Sequence, residues 1–116
     1  MKYDLEERTA KFGEDIISFA KKMQKNDVTR PLIKQIVRSG TSIGANYMEA
    51  NQASSKKDFR NKIKICVKEA NETKHWLRMI STADGEVKDA CKELWKEAHE
   101  LTLIFAKIAR TTDSKN

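Results

Sequence analysis

Two glycines, four residues apart on the apolar face of one helical segment, constrain this chain more than any other feature. Between Thr29 and Ala50, the residues Leu32, Ile33, Ile36, Val37, Gly40, Ile43, Gly44, Tyr47 and Met48 cover almost half the circumference of a helix. Each glycine inside a helix costs roughly 1 kcal/mol relative to alanine. Keeping two of them on the apolar face predicts close approach of another helix. Lys34 and Arg38 interrupt the segment, so the small-residue spacing of membrane helices does not apply. Thr29 and Pro31 suit its start, because proline costs little in the first turn.

Three further segments have helical periodicity. The first runs from about Asp4 to Lys25, with Leu5, Phe12, Ile16, Phe19 and Met23 on one face, and is broken by Asn26-Asp27-Val28-Thr29. After Asn51-Gln52-Ala53, either Ser54 or Ser55 can cap a third segment reaching about Ile80, with Asp58 in its first turn favouring the helix dipole. Ser81-Thr82-Ala83-Asp84-Gly85 predicts a turn. The fourth segment runs from about Glu86 to Arg110, with Val87, Cys91, Leu94, Ala98, Leu101, Phe105 and Ile108 inward. There is no repeat, low-complexity tract or second domain. The expectation is an all-α, up-down-up-down antiparallel four-helix bundle over residues 1–116, with 111–116 a frayed tail.

Charge is segregated along the chain. From Arg30 to Arg78 there are 11 Lys/Arg against 4 Asp/Glu, whereas the remainder holds 12 against 13. The whole positive excess therefore sits in the middle, which favours an anionic partner, most simply nucleic acid. The plainer alternative is a basic face kept for solubility. Cys66 and Cys91 follow apolar spacing without a C-x-x-C partner and read as buried reduced thiols, a disulfide between them being the lesser alternative. No stretch approaches the roughly 20 apolar residues of a membrane span, and Met1 to Thr9 lack the apolar run of a secretory signal. No membrane association is expected, and a cytoplasmic location follows by default.

The third segment decides most about function. At about 100° per residue, its residues separate into three arcs. Phe59, Ile63, Cys66, Ala70 and Leu77 form a core arc. Lys56, Lys57, Arg60, Lys64, Lys68, Asn71, Lys74, His75 and Arg78 form a second, which contains no acid. Lysines and arginines so arranged suit the phosphates of a nucleic-acid backbone. With little aromatic interleaving, neither base stacking nor sequence reading is implied. The third arc holds Ile65, Trp76 and Met79 mixed with Glu69 and Glu72. Because a surface helix needs only one apolar face, and Trp and Met are interface types, this arc suggests homo-oligomerisation; the alternative is a wide core that takes in both apolar arcs.

On the second segment, Gln35, Arg38, Ser42, Asn46 and Glu49 form a polar line at spacings of three and four. A structural or inter-subunit network with Glu69 or Glu72 is expected, since a buried arginine needs such a carboxylate. Catalytic signatures are weak. His75 and His99 lack ligand-spaced companions, so no metal site is expected. Glu69 and Glu72 are a pair that ordinary helix surfaces carry. No glycine loop cradles a phosphate, and no Ser or Cys has an evident base. The chain is read as non-enzymatic and without a cofactor.

Three stretches carry a resemblance: Gln35 to Ala50, then Ser55-Lys56-Lys57-Asp58-Phe59, then Lys68-Glu69-Ala70-Asn71-Glu72-Thr73-Lys74-His75-Trp76-Leu77. Together with the helix layout, they resemble the family known for the protein encoded in intervening sequences of bacterial 23S rRNA genes. That family includes the accessory variability determinant of diversity-generating retroelements. Gly44 stands where many members carry proline, and Asn51 where many carry glycine. The resemblance implies a four-helix protomer assembling as a ring-shaped homopentamer. In the retroelement branch it implies a basic ring that binds nucleic acid and partners a reverse transcriptase.

The function expected is a non-enzymatic, oligomeric binder of RNA or DNA, an accessory to a reverse transcriptase or other nucleic-acid enzyme. Lys56, Lys57, Arg60, Lys64, Lys68, Lys74 and Arg78 are its candidate phosphate contacts. Gln35, Arg38, Ser42, Asn46, Glu49, Ile65, Glu69, Glu72, Trp76 and Met79 are its candidate interface or network. The alternative is a protein-protein scaffold whose basic face meets an acidic protein.

Overall fold

The computed structural model describes residues 4–114, which form four α-helices and no strand. Residues 1–3, and Lys115 and Asn116 of the expected tail, lie outside the described residues.

Helix α1 (Leu5–Lys22) starts at Asp4, whose carboxylate accepts the Glu7 N–H at 3.1 Å. Glu6 and Glu7 sit in its first turn and Lys21 and Lys22 in its last, matching the helix dipole at both ends. The helix stops three residues short of the expected Lys25. There the Lys25 ammonium donates to the carbonyls of Ala20, Lys21 and Met23, at 3.2, 3.2 and 2.9 Å, satisfying groups the helix end leaves open.

Helix α2 (Thr29–Asn51) is prepared by Asn26, whose side-chain oxygen accepts the Val28 and Thr29 N–H groups at 2.9 Å each. The Thr29 hydroxyl in turn donates to the Gln24 carbonyl at 2.7 Å. Helix α3 (Lys56–Ala83) takes Ser55, not Ser54, as its N-cap, through a 3.0 Å bond from the Asp58 N–H. It runs through Ser81-Thr82-Ala83, so the expected turn shrinks to Asp84 and a 3-10 turn at Gly85–Val87. Asp84 makes this sharp stop: its N–H donates to the Ile80 carbonyl at 2.9 Å and its carboxylate accepts the Glu86 N–H. Helix α4 (Lys88–Ser114) continues past the expected end at Arg110, so residues 111–114 are helical.

Neighbouring helices in the chain are neighbours in space. Along α1 and α2, Thr9 lies beside Gly44, Gly13 beside Thr41 and Ile16 beside Gly40. A Cβ built on Gly40 would lie 2.9 Å from the Ile16 Cγ1, so α1 is the helix whose approach the glycines permit. Between α2 and α3, Arg38 meets Glu72, the Ile43 carbonyl accepts from the Cys66 thiol, and Glu49 meets Lys62. Between α3 and α4, Arg60 meets Asp113 and Lys74 meets His99. The contact of α1 with α4 is thin. Arg8 bridges it with paired bonds to Glu97 (2.6 and 2.7 Å) and one to Glu100 (2.9 Å). The hydrogen bonds to Glu97 hold this guanidinium charged against the opposing effect of burial.

The core draws on all four helices. Phe12, Ile16, Ile36, Ile43, Ile63, Leu77, Ile80, Leu101 and Phe105 are essentially inaccessible to solvent. Inside it, the Thr73 hydroxyl donates to Ser39 Oγ at 2.9 Å, a polar link between α2 and α3 that apolar periodicity does not reveal. No helix among the described residues is long and apolar enough to cross a membrane.

Candidate nucleic-acid interface

The sequence of α3 places a cation at positions 56, 57, 60, 64, 68, 74 and 78 because the helix brings residues three and four apart onto one face. Lys56, Lys57, Lys64, Lys68 and Arg78 are exposed; Arg60 and Lys74 are half-buried. The arc is not free of acid in three dimensions. Asp113, from the part of α4 that was expected to fray, lies 3.1 Å from Arg60 Nε and 4.0 Å from Lys64 Nζ. Lys74 turns away from the arc: its ammonium bonds His99 Nδ1 at 3.1 Å and stands 5.2 Å from the centre of the Trp95 ring. Lys57, Lys68 and Arg78 form no ion pair with a described residue. The accessible positive charge therefore runs along the outer side of α3 from its first turn to Arg78.

The polar line on α2 is divided. Arg38 reaches Glu69 at 3.2 Å and Glu72, both on α3, and its Nε donates to Gln35 at 3.3 Å. Burial works against the Arg38 charge, but the Glu69 charge and the bond that Arg38 donates to Glu72 more than offset it and raise its pKa. Glu69 is nearly buried, so this bridge keeps a carboxylate from being enclosed unpaired. Ser42 and Asn46 instead bond carbonyls of their own helix, Arg38 O at 2.6 Å and Ser42 O at 2.9 Å. Glu49 pairs with Lys62 at 2.7 Å. Arg38, Gln35, Glu69 and Glu72 are brought together within one protomer; Ser42, Asn46 and Glu49 are not part of that cluster.

Ile65, Trp76 and Met79 are all half-buried. Trp76 packs against the core as well as facing outward, with its ring edge-on to His75 at 4.9 Å. Its indole nitrogen is enclosed and has no hydrogen-bond partner among the described residues. The most exposed large apolar residues lie elsewhere: Ile17, Val28, Met48, Trp95 and Leu103. Trp95, His99 and Leu103 follow one another at four-residue spacing along the outside of α4. That spacing is present in the sequence but lies outside the inward apolar periodicity of α4.

Trp95 also lines a cleft of about 470 Å³ between the end of α3 and the start of α4. Leu77 and Cys91 form its floor, and Arg78, Lys88 and Lys92 stand at its rim. Both cysteines are free and buried, and burial pushes the Cys66 thiol up to about 12 and the Cys91 thiol up to about 11. They are apolar filler rather than nucleophiles. Among the described residues no group of three or more His, Cys, Asp or Glu is placed to hold a metal ion.

Residues 1–107 match the family model described as 23S rRNA-intervening sequence protein. A crystal structure from Bacteroides thetaiotaomicron VPI-5482, of a protein of unknown function in the S23 ribosomal protein family, superposes with a TM-score of 0.82 at 35% identity. The match covers 91% of this chain and 98% of that one. No curated protein matches the chain.

Proposed function

The chain belongs to the 23S rRNA-intervening sequence protein family, and from that premise we propose that it is a non-enzymatic, oligomeric protein that binds RNA or DNA through the outer side of α3. One observation carries this reading: Lys57, Lys64, Lys68 and Arg78 stand exposed along one side of a 28-residue helix, and among the described residues these four meet one carboxylate, Asp113 at Lys64. Cations spaced along a rod engage a phosphate backbone without reading bases. Arg60 and Lys74, held by Asp113 and His99, support the row more than they contact the ligand.

The protomer is read as an up-down-up-down bundle, a reading supported by the reversed order of the residue pairs along each helix seam. Assembly into a ring, a pentamer by the family resemblance, would align several α3 rows. The exposed Ile17, Met48 and Leu103 supply apolar surface for subunit contacts. The role of accessory to a reverse transcriptase, in the cytoplasm, is the finer form of the same reading.

The test is binding of purified protein to structured RNA, duplex DNA and an RNA–DNA hybrid across a salt series, with Lys57→Glu/Lys64→Glu/Lys68→Glu as the variant. Affinity is expected to fall steeply with salt and to be lost in the variant, with helicity and melting unchanged. Undiminished binding by the variant would remove α3 as the surface. A partner that survives nuclease treatment, with no nucleic acid bound even at low salt, would replace this reading by an acidic-protein scaffold.

A further inference from the structure

The cleft between the end of α3 and the start of α4 has a composition that backbone binding alone does not require. Its floor is apolar, formed by the buried Leu77 and Cys91. One wall is the Trp95 indole, 40% exposed, a large flat apolar ring left open to solvent in the protomer. His99 stacks on that ring at 5.0 Å and 15°, and Lys74 sits over it while bonding His99. His99 lies one turn further along α4, and Cys91 one turn back towards the cleft. The ring is therefore braced from the side of His99 and open on the side of the cleft.

The rim carries Arg78, Lys88 and Lys92, all exposed and none ion-paired to a described residue. No Asp or Glu lines the cleft. Asp84, the nearby acid whose charge adds to the shift of the Cys91 thiol, is engaged by the Glu86 N–H. An apolar slot with one flat aromatic wall and a cationic rim is complementary to a planar ring attached to an anion. Arg78 belongs both to this rim and to the cation row of α3, so a strand whose phosphates follow the row arrives at the cleft.

We propose that this cleft receives one unpaired nucleotide of a bound nucleic-acid strand, its base against Trp95 and its phosphate among Arg78, Lys88 and Lys92. This rests on the proposed function and adds a preference to it. Bases inside a duplex are stacked on one another and cannot enter, whereas a single strand or a bulge presents them. The protein then holds any phosphate backbone along α3 but gains affinity where a base is free.

The experiment compares a single-stranded oligoadenylate of about a dozen nucleotides with an RNA duplex of the same length. It uses the full chain, Trp95→Ala, Trp95→Phe and Lys88→Ala/Lys92→Ala. Trp95→Ala is expected to weaken single-strand binding roughly tenfold, the scale of one lost base stack, and to leave duplex binding unchanged. Trp95→Phe should restore most of the loss. Lys88→Ala/Lys92→Ala, which removes only exposed side chains, should weaken the single strand more than the duplex and covers the case in which Trp95→Ala disturbs the fold. In a Trp76→Phe background, the oligoadenylate should quench the remaining Trp95 fluorescence. Equal losses for both ligands, or none for either, with wild-type binding intact, would overturn the cleft and leave the α3 reading standing. Adenosine monophosphate binding as tightly as the oligoadenylate would make it a free-nucleotide site and overturn the proposal as stated. Failure of the wild type to bind either oligonucleotide would overturn both readings.

Discussion

The seam between α1 and α2 and the seam between α3 and α4 solve the same problem in opposite ways. Between α1 and α2, small residues let the backbones approach: Gly40 faces Ile16, Gly44 faces Thr9, and Gly13 faces Thr41. What remains outside is a shallow groove of about 280 Å³ lined by Gly13, Gly44, Ala45, Ile17 and Met48, with Glu6 and Glu14 at its edge. Between α3 and α4, large side chains and pairs such as Lys74–His99 and Arg60–Asp113 span the helices, and a larger cleft with a cationic rim stays open. The molecule thus has an acidic-edged apolar groove on one seam and a basic-edged cleft on another. The local charge favours an anion at the second and disfavours one at the first, so a basic total charge understates how unevenly the surface is divided.

The sharpest way to break the contrast is to fill the close seam. In Gly40→Val the new Cβ alone would meet Ile16 Cγ1, Cγ2 and Cβ at 2.9, 3.0 and 3.2 Å, and the γ-methyls would add to that. None of these three Ile16 atoms is the loose end of a long side chain, so the helices must part. Overpacking of this kind costs about 3 kcal/mol, more than the helix-propensity gain of replacing glycine, which is below about 1 kcal/mol for a β-branched residue. Urea unfolding at fixed protein concentration should show a lowered midpoint with an unchanged slope. A midpoint equal to wild type would mean that α1 does not hold its position against α2.

Gly13 sits on the same seam but from the opposite helix, and it predicts the opposite sign. A Cβ there would lie 3.5 Å from Thr41 Cα and 3.7 Å from its methyl group, ordinary packing distances. Gly13→Ala should therefore gain about 0.5–1 kcal/mol from helix propensity, read as a raised midpoint in the same experiment. A loss would show the seam to be tighter at Gly13 than these distances allow.

The two glycine outcomes also mark what the sequence could say. Periodicity placed Leu5, Phe12, Ile16, Phe19 and Met23 inward, and all five are buried. The spacing of Gly40 and Gly44 announced a close helix, but not that the helix is α1, because periodicity describes a face and not its partner. Helix ends were less legible where a distant or flexible group decides them. Lys25 closes α1 by folding back on its carbonyls, and Asp113 anchors the last turns of α4 to α3. The row of cations on α3 was visible, since it follows from sequence spacing alone. Its neutralising carboxylate was not, since it comes from the far end of the chain. Trp76 read as an outward residue, yet it also packs on the core. The cleft at Trp95 needed the register of α4 on α3, which no local pattern encodes.

Asp113 supplies the smallest effect on stability and the most direct probe of the basic side. It is about half-exposed and pairs with Arg60 at 3.1 Å and Lys64 at 4.0 Å. Solvent screens such pairs, so Asp113→Asn should change stability by less than about 0.5 kcal/mol, within the range of surface ion pairs. Its effect on the surface is larger in kind: Arg60 and Lys64 lose their only described carboxylate, and the cation row of α3 becomes continuous. Nucleic-acid affinity at low salt should rise several-fold, and the dependence of log affinity on log salt should steepen by up to about one phosphate contact. If Asp113→Asn melts like wild type and binds no more tightly, Arg60 and Lys64 lie outside the contact, and the ligand would be confined to Lys57, Lys68 and the cleft end of α3. If it binds more tightly to duplex and single strand alike, the row and the cleft act independently, because freeing the row strengthens the backbone grip that both ligands share.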